Sequence, residues 1–286
     1  MSAQQTPAES AAPPAVPPLP ETPAPAVPDT PRKDRRALRA VLRWTAAVVV
    51  FAAVGAGTAY GITGMDRTDV PGLATASDGR WDYPELTRPP LPAGSPGPFA
   101  EANPAGSHYA DLRALLLPAP AGATEDKALN GRDGWLPTEK YLAEYALKED
   151  RDQLRQKLVD TGLRHIAARG WTTPDGTRTR VYLLQFGTAA VVDNQFASDN
   201  VAFSTPSFRI RGSGDAVYDK HFPDAATVSR TSRTTYVEPK PYGAEQVRQA
   251  YVSAGDVYAV ILQSRKGGAL AVPFQQTVTL QTELLA

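Results

Sequence analysis

The longest apolar run in the chain is RRALRAVLRWTAAVVVFAAVGAGTAYGIT at 35–63; Trp44 to Met65 carries no charged side chain and Ala46 to Val54 no polar one. At about 1.5 Å per residue this run crosses a hydrocarbon core of about 30 Å, which predicts a transmembrane helix over 44–65. Arg32, Lys33, Arg35, Arg36, Arg39 and Arg43 precede it, whereas Asp66 and Asp69 flank Arg67 after it. The positive-inside bias therefore predicts a single-pass plasma-membrane protein with residues 1–43 in the cytoplasm and the C-terminal portion outside. Ala74, Thr75 and Ala76 form an A-x-A cleavage pattern, but it lies well beyond the apolar run, so a retained anchor is the better reading. Within the anchor, Ala53, Gly57 and Gly61 recur every fourth residue, the spacing of a helix-dimer face.

Beyond residue 106 the period identifies elements. Ser107 is placed to cap a short helix to about Leu117, with Tyr109, Leu112 and Leu116 on one face and Pro118 stopping it. Pro137 and Thr138 open a helical region carrying Leu142, Tyr145, Leu154 and Leu158, which Gly162 ends. Residues 163–172 and 178–186 flank TTPDGT, whose Pro-Asp-Gly is a turn signal, so a hairpin follows. Its second arm, Val181 to Phe186, is apolar on both faces apart from Gln185, as expected inside a covered sheet. Helical spacing resumes at Val192 and Phe196. The same order returns with QVRQAYV and VYAVILQ around SAGD, then Gly267 and Gly268, then a helix carrying Leu270, Phe274, Val278 and Leu285. Aligning Val181–Tyr182 with Val257–Tyr258 brings both halves into register. The pattern predicts an α+β fold: an antiparallel sheet built from two diverged ββα units with helices packed on it. Pro273 fits only in the last helix's first turn, and the polar stretches between 203 and 240 read as edge strands and connections.

Composition sets the boundaries. The 286 residues include 27 prolines, concentrated in 1–31 and in RPPLPAGSPGPF at 88–99. The first segment reads as a disordered cytoplasmic tail, with P-x-x-P spacings at Pro14, Pro17 and Pro20, and 66–106 as a semi-rigid linker onto which Trp81, Tyr83, Leu86 and Phe99 offer points of attachment. The folded domain is 107–286. A formal net charge of zero gives no basic face for a nucleic acid. The absence of cysteine removes disulfides, thiolate chemistry and a lipobox anchor.

No catalytic, cofactor or metal residues emerge. His108, His165 and His221 are far apart in sequence and out of metal-ligand spacing, and no serine stands in G-x-S-x-G or S-x-x-K. Glu149, Asp150 and Asp152 lie where a solvated first helical turn is expected. Arg209, Arg211, Gly212, Ser213 and Gly214 have the make-up of an anion-binding loop, which a hairpin connection shares. The tail, arginine-flanked anchor, spacer and single distal domain resemble the uncharacterised single-pass membrane proteins of actinobacteria, and the ββα repeats resemble extracytoplasmic sensor and lipoprotein domains of that phylum. That resemblance implies no site residues. The expected function is a non-enzymatic envelope binding module, its partners the lipid bilayer, an envelope protein or wall polymer, and a second copy through the anchor. A wall-glycan enzyme and a dimerising signalling accessory are the alternatives.

Overall fold

The structure is a computed structural model that describes residues 35–63, 77–199 and 204–286. The tail to residue 34, the linker's first part through 76 and the A-x-A pattern lie outside the described residues. The chain divides into two compact units, Met1–Ala74 and Thr75–Ala286.

In the first unit, helix α1 spans Arg35–Thr63. It begins ahead of the expected Trp44 because RRALRAVLR consists largely of strong helix formers and the proline-rich stretch ends at Pro31. At about 43 Å it exceeds a hydrocarbon core, so its arginine-bearing first turns extend past the apolar run. The Thr45 and Thr58 hydroxyls donate to the carbonyls of Val41 and Val54, each at 2.8 Å, which satisfies both hydroxyls within the helix itself. Among the described residues, this is the one helix long and apolar enough to cross a membrane.

The second unit is α+β, as the pattern predicts. Strands β1 (Thr124–Glu125), β2 (His165–Thr172), β3 (Arg178–Gln185), β4 (Val217–Tyr218), β5 (Thr231–Val237), β6 (Glu245–Ala254) and β7 (Val257–Lys266) form one sheet in the order β1-β2-β3-β7-β6-β5-β4. Every neighbouring pair is antiparallel. The two hairpins meet at β3–β7, where Leu183 pairs directly with Ala259. These are the two residues that the alignment of Tyr182 with Tyr258 makes equivalent.

The helices depart from that symmetry. Along β7, Tyr258, Val260 and Leu262 belong to one core, with Tyr182, Leu184 and Tyr251, while Val257, Ala259 and Ile261 belong to another, with Val181, Leu183 and Val252. The period of two places these cores on opposite faces. The first face is covered by α2 (Thr138–Leu142), α3 (Lys148–Asp160) and α4 (Ala189–Asp199), through Tyr141, Leu154, Leu158, Val192 and Phe196. The second is covered by α5 (Ala271–Leu285), through Phe274, Val278 and Leu285. The two ββα units thus place their helices on opposite sides, giving three layers. Pro273 does lie in the first turn of α5, behind its N-cap Leu270.

Ser107 caps no helix. Only Leu112–Leu115 forms a 3₁₀ turn, whose cap is Asp111, accepting from the Arg113 N–H. The Gly106 carbonyl accepts from Asp256 N–H and the His108 N–H donates to the Asp256 carboxylate, so this backbone is drawn to the β6–β7 turn and is not free to coil. Upstream, residues 77–106 pack on the α5 side. Trp81 exchanges two 2.8 Å hydrogen bonds with the Gln276 amide. The Tyr83 hydroxyl lies 2.9 Å from Thr277 Oγ1, and Tyr83, Leu86 and Phe99 join the core.

Both sheet edges are short. β1 and β4 have two residues each. Beyond β1, the outward carbonyls of Gly170 and Ile166 accept from Asp126 and Leu136 N–H at 2.8 Å.

The tyrosine face buries the carboxylate of Asp199, which accepts from Lys157 Nζ at 2.6 Å and Gln195 Nε2 at 2.7 Å. Burial outweighs these partners and lifts its carboxyl above the ordinary value. The folded state therefore holds this proton more tightly than the unfolded one, and the resulting stability is present at low pH and lost as pH rises through the folded value. Asp199→Asn removes that term, so the midpoint of the variant relative to wild type should climb as pH rises through and above the ordinary aspartate range. Thermal unfolding of both proteins across that range checks it, and a constant difference would contradict it.

Candidate functional site

Arg178 and Arg180 alternate along β3 and so project from the tyrosine face. In register, Arg178 pairs with Ser264 of β7, which pairs with Val247 of β6; one row further in, Arg180 pairs with Leu262. Four of these residues, Arg178, Arg180, Ser264 and Val247, floor a cleft of about 620 Å³, walled by Ala143–Glu144 after α2, by Arg211–Gly212 and by Gly243–Glu245.

The wall is held by backbone pairing. Arg211 N–H donates to the Glu144 carbonyl at 2.7 Å and Ala146 N–H to the Arg209 carbonyl at 2.9 Å, which fixes Arg211 opposite β3. The Arg211 Nε–H donates to the Ala143 carbonyl at 3.0 Å. Glu144 has both oxygens engaged, Oε2 by Arg180 Nη1 at 2.7 Å and Oε1 by the Tyr182 hydroxyl at 2.6 Å. Burial, and then the neighbouring carboxylate, push the Tyr182 phenol far above its ordinary value, so it remains a donor.

Two buried polar atoms on the floor have no partner among the described residues: Arg180 Nε and the hydroxyl of Ser264, a residue 3 % exposed. An unmet buried donor costs about 1–3 kcal/mol, far more than an exposed one, and such groups in a cleft mark where a ligand atom would be received.

The structure divides the glycine-rich loop of the sequence. Arg211 and Gly212 reach this cleft, whereas Arg209 pairs with Asp215 at 3.1 Å on the surface and lines a different depression. The Ser213 hydroxyl is buried and donates to the Ile210 carbonyl at 3.1 Å. Gly214 N–H donates to the carboxylate of Glu238, which is 1 % exposed and also accepts from Val247 N–H at 2.7 Å. The chain's own carboxylate therefore fills the expected anion nest. Glycine at 214 has a steric reason as well: a Cβ there would come within 2.3 Å of Tyr242 Cγ. The small residues Ala53, Gly57 and Gly61 lie exposed along α1, with open space at both glycines.

The remaining chemistry is dispersed. His165 stacks on Trp135 at 4.5 Å and the side chain of His221 is 94 % exposed. His108 is buried, its Nδ1 2.7 Å from Asp256 Oδ1 and its Nε2 2.8 Å from the Leu285 carbonyl oxygen. Asp152 pairs with Lys148 and with Arg155 on the exposed side of α3. Among the described residues no group of three or more histidine or acidic side chains is arranged to hold a metal ion.

No family model matches the chain, and no curated protein matches it. Among solved structures, the chain is similar to the extracellular domain of PknH from Mycobacterium tuberculosis, at 13 % identity and a TM-score of 0.35 over 60 % of this chain and 93 % of that one.

Proposed function

We propose that this chain is a single-pass membrane protein whose C-terminal unit, outside the cytoplasm, is a non-enzymatic module that receives an anionic group of an envelope partner in the arginine cleft. One observation carries the reading: Arg178, Arg180 and Arg211 converge on a floor that holds a buried, unpartnered serine hydroxyl and a buried, unpartnered guanidinium N–H. Arginine stays protonated at physiological pH and binds without exchanging protons, which suits recognition better than acid–base chemistry. A glycan-cleaving reading draws on Glu144 and Glu245 sharing the cleft. Against it, each Glu144 oxygen already has a partner.

Inorganic phosphate titrated into the full chain in detergent should raise its unfolding midpoint saturably, at constant ionic strength. A ligand at a hundred times its Kd adds about 2.7 kcal/mol. Arg178→Ala and Arg211→Ala, both at exposed positions, should each weaken binding by about tenfold, in line with loss of a charge-assisted hydrogen bond. A midpoint that phosphate leaves unmoved would remove the reading.

Orientation has its own test. Because the chain has no cysteine, Lys220→Cys places a single thiol on an exposed residue. A membrane-impermeant maleimide should label it in intact cells, and labelling only after lysis would reverse the topology.

A further inference from the structure

We propose that the anion received by the cleft belongs to an acidic saccharide, a sugar bearing a phosphate or carboxylate, and that Tyr242 stacks on its ring. This rests on the anion-binding reading and names its ligand class.

The cleft is too large and too mixed in charge for a bare anion. At about 620 Å³ it falls among small-molecule sites. Beside the three arginines it presents Glu245, whose carboxylate makes no hydrogen bond or ion pair among the described residues, although Lys266 stands opposite it in register. A carboxylate repels a simple anion at this range. Sugar hydroxyls both donate and accept, so guanidinium donors, a free carboxylate and the Ser264 hydroxyl suit them together.

The rim supplies the other half of sugar recognition. Tyr242 is 71 % exposed. Pro239 and Pro241 stiffen the segment leading to it. The base of its ring rests on Gly214, where a Cβ would come within 2.3 Å of Tyr242 Cγ, and a Cβ on Gly243 would lie 3.4 Å from the Gly212 carbonyl oxygen. Gly212 and Gly243 both line the cleft, while Gly214, on which the ring rests, lines the neighbouring depression, so the two loops clasp between them and hold an aromatic ring in solvent one residue from the cleft wall. The negative face of that ring attracts the polarised C–H face of a pyranose. An anion held by the arginines while its sugar lies on Tyr242 uses both the depth and the rim of the site.

The test is calorimetric titration of the full chain in detergent with glucose 6-phosphate, glucuronate and inorganic phosphate. The sugar phosphate is expected to bind about tenfold more tightly than inorganic phosphate. Tyr242→Ala should abolish that margin and leave phosphate affinity unchanged, Tyr242→Phe should keep it, and Arg178→Ala should weaken all three ligands. Equal affinity for phosphate and sugar phosphate, or a Tyr242→Ala loss shared equally by both, overturns the saccharide while leaving the anion cleft intact. Binding of none of the three removes the cleft reading and this one with it.

Discussion

Asp256→Ala lowers the unfolding midpoint of the C-terminal unit by roughly 10 °C, the equivalent of about 3–5 kcal/mol for a domain of this size. The carboxylate is wholly buried and gathers three donors: the His108 N–H at 2.9 Å, His108 Nδ1 at 2.7 Å and Gln185 Nε2 at 3.1 Å. Its backbone is equally engaged, the N–H with the Gly106 carbonyl and the carbonyl with Phe186 N–H, each at 2.9 Å. Removing the side chain leaves those donors buried without an acceptor, which costs far more than losing an exposed ion pair such as Lys148–Asp152. His108 also reaches the last turn of α5 through the Leu285 carbonyl, so the damage should spread to that helix. A cycle with His108→Ala should show strong coupling; a midpoint within about 2 °C of wild type would deny the cluster its role.

Gly255→Ala is expected to be comparably severe. Gly255 and Asp256 form the two-residue turn between β6 and β7, with Gly255 at φ 53°, a conformation that costs other residues about 1 kcal/mol. Sterics add more, since the new Cβ would stand 2.3 Å from the Gly106 carbonyl oxygen, which accepts the Asp256 N–H. The clash must push the segment before His108 off the sheet, at a total of about 3 kcal/mol or more. Limited proteolysis should then cut within 88–106 in the folded variant. Gly176→Ala is the control: its φ of 81° is similar, but nothing lies within 4 Å of the added Cβ, so only the conformational cost of about 1 kcal/mol remains. Equal losses in the two variants would mean that the packing against Gly106 contributes nothing.

The sequence was most legible where the signal is local. Pro174–Asp175–Gly176 does join β2 to β3, and Val192 and Phe196 do face the core. Periodicity tells which residues of a helix face a sheet but not which side of the sheet receives them, so the opposite placement of α4 and α5 was invisible. Ser107 carries a valid cap signal, but the competing partner for its neighbours' backbone, Asp256, lies 148 residues from His108. The cleft was half legible. Arg178 and Arg180, two apart ahead of an apolar strand, announce a shared face, whereas Ser264 and Arg211 join them only through strand register and loop pairing. In the glycine-rich loop the sequence left two readings open because glycine serves an anion and a close aromatic neighbour alike, and Glu238, which accepts the Gly214 N–H, is 24 residues downstream.

On the anchored reading proposed above, the two-residue edge strands have a consequence for the domain's neighbours. An anchored domain meets its neighbours in two dimensions, at high local concentration and in a shared orientation, conditions that favour strand exchange between like sheets. Here a docking strand meets interrupted edges: β1 and β4 are too short to template a ladder alone, and outward carbonyls of β2 at Ile166 and Gly170 and of β5 at Thr235 are already occupied by loop amides. If the domain is anchored as proposed, crowding on the bilayer would therefore raise the density of its arginine clefts without seeding sheet-to-sheet aggregation.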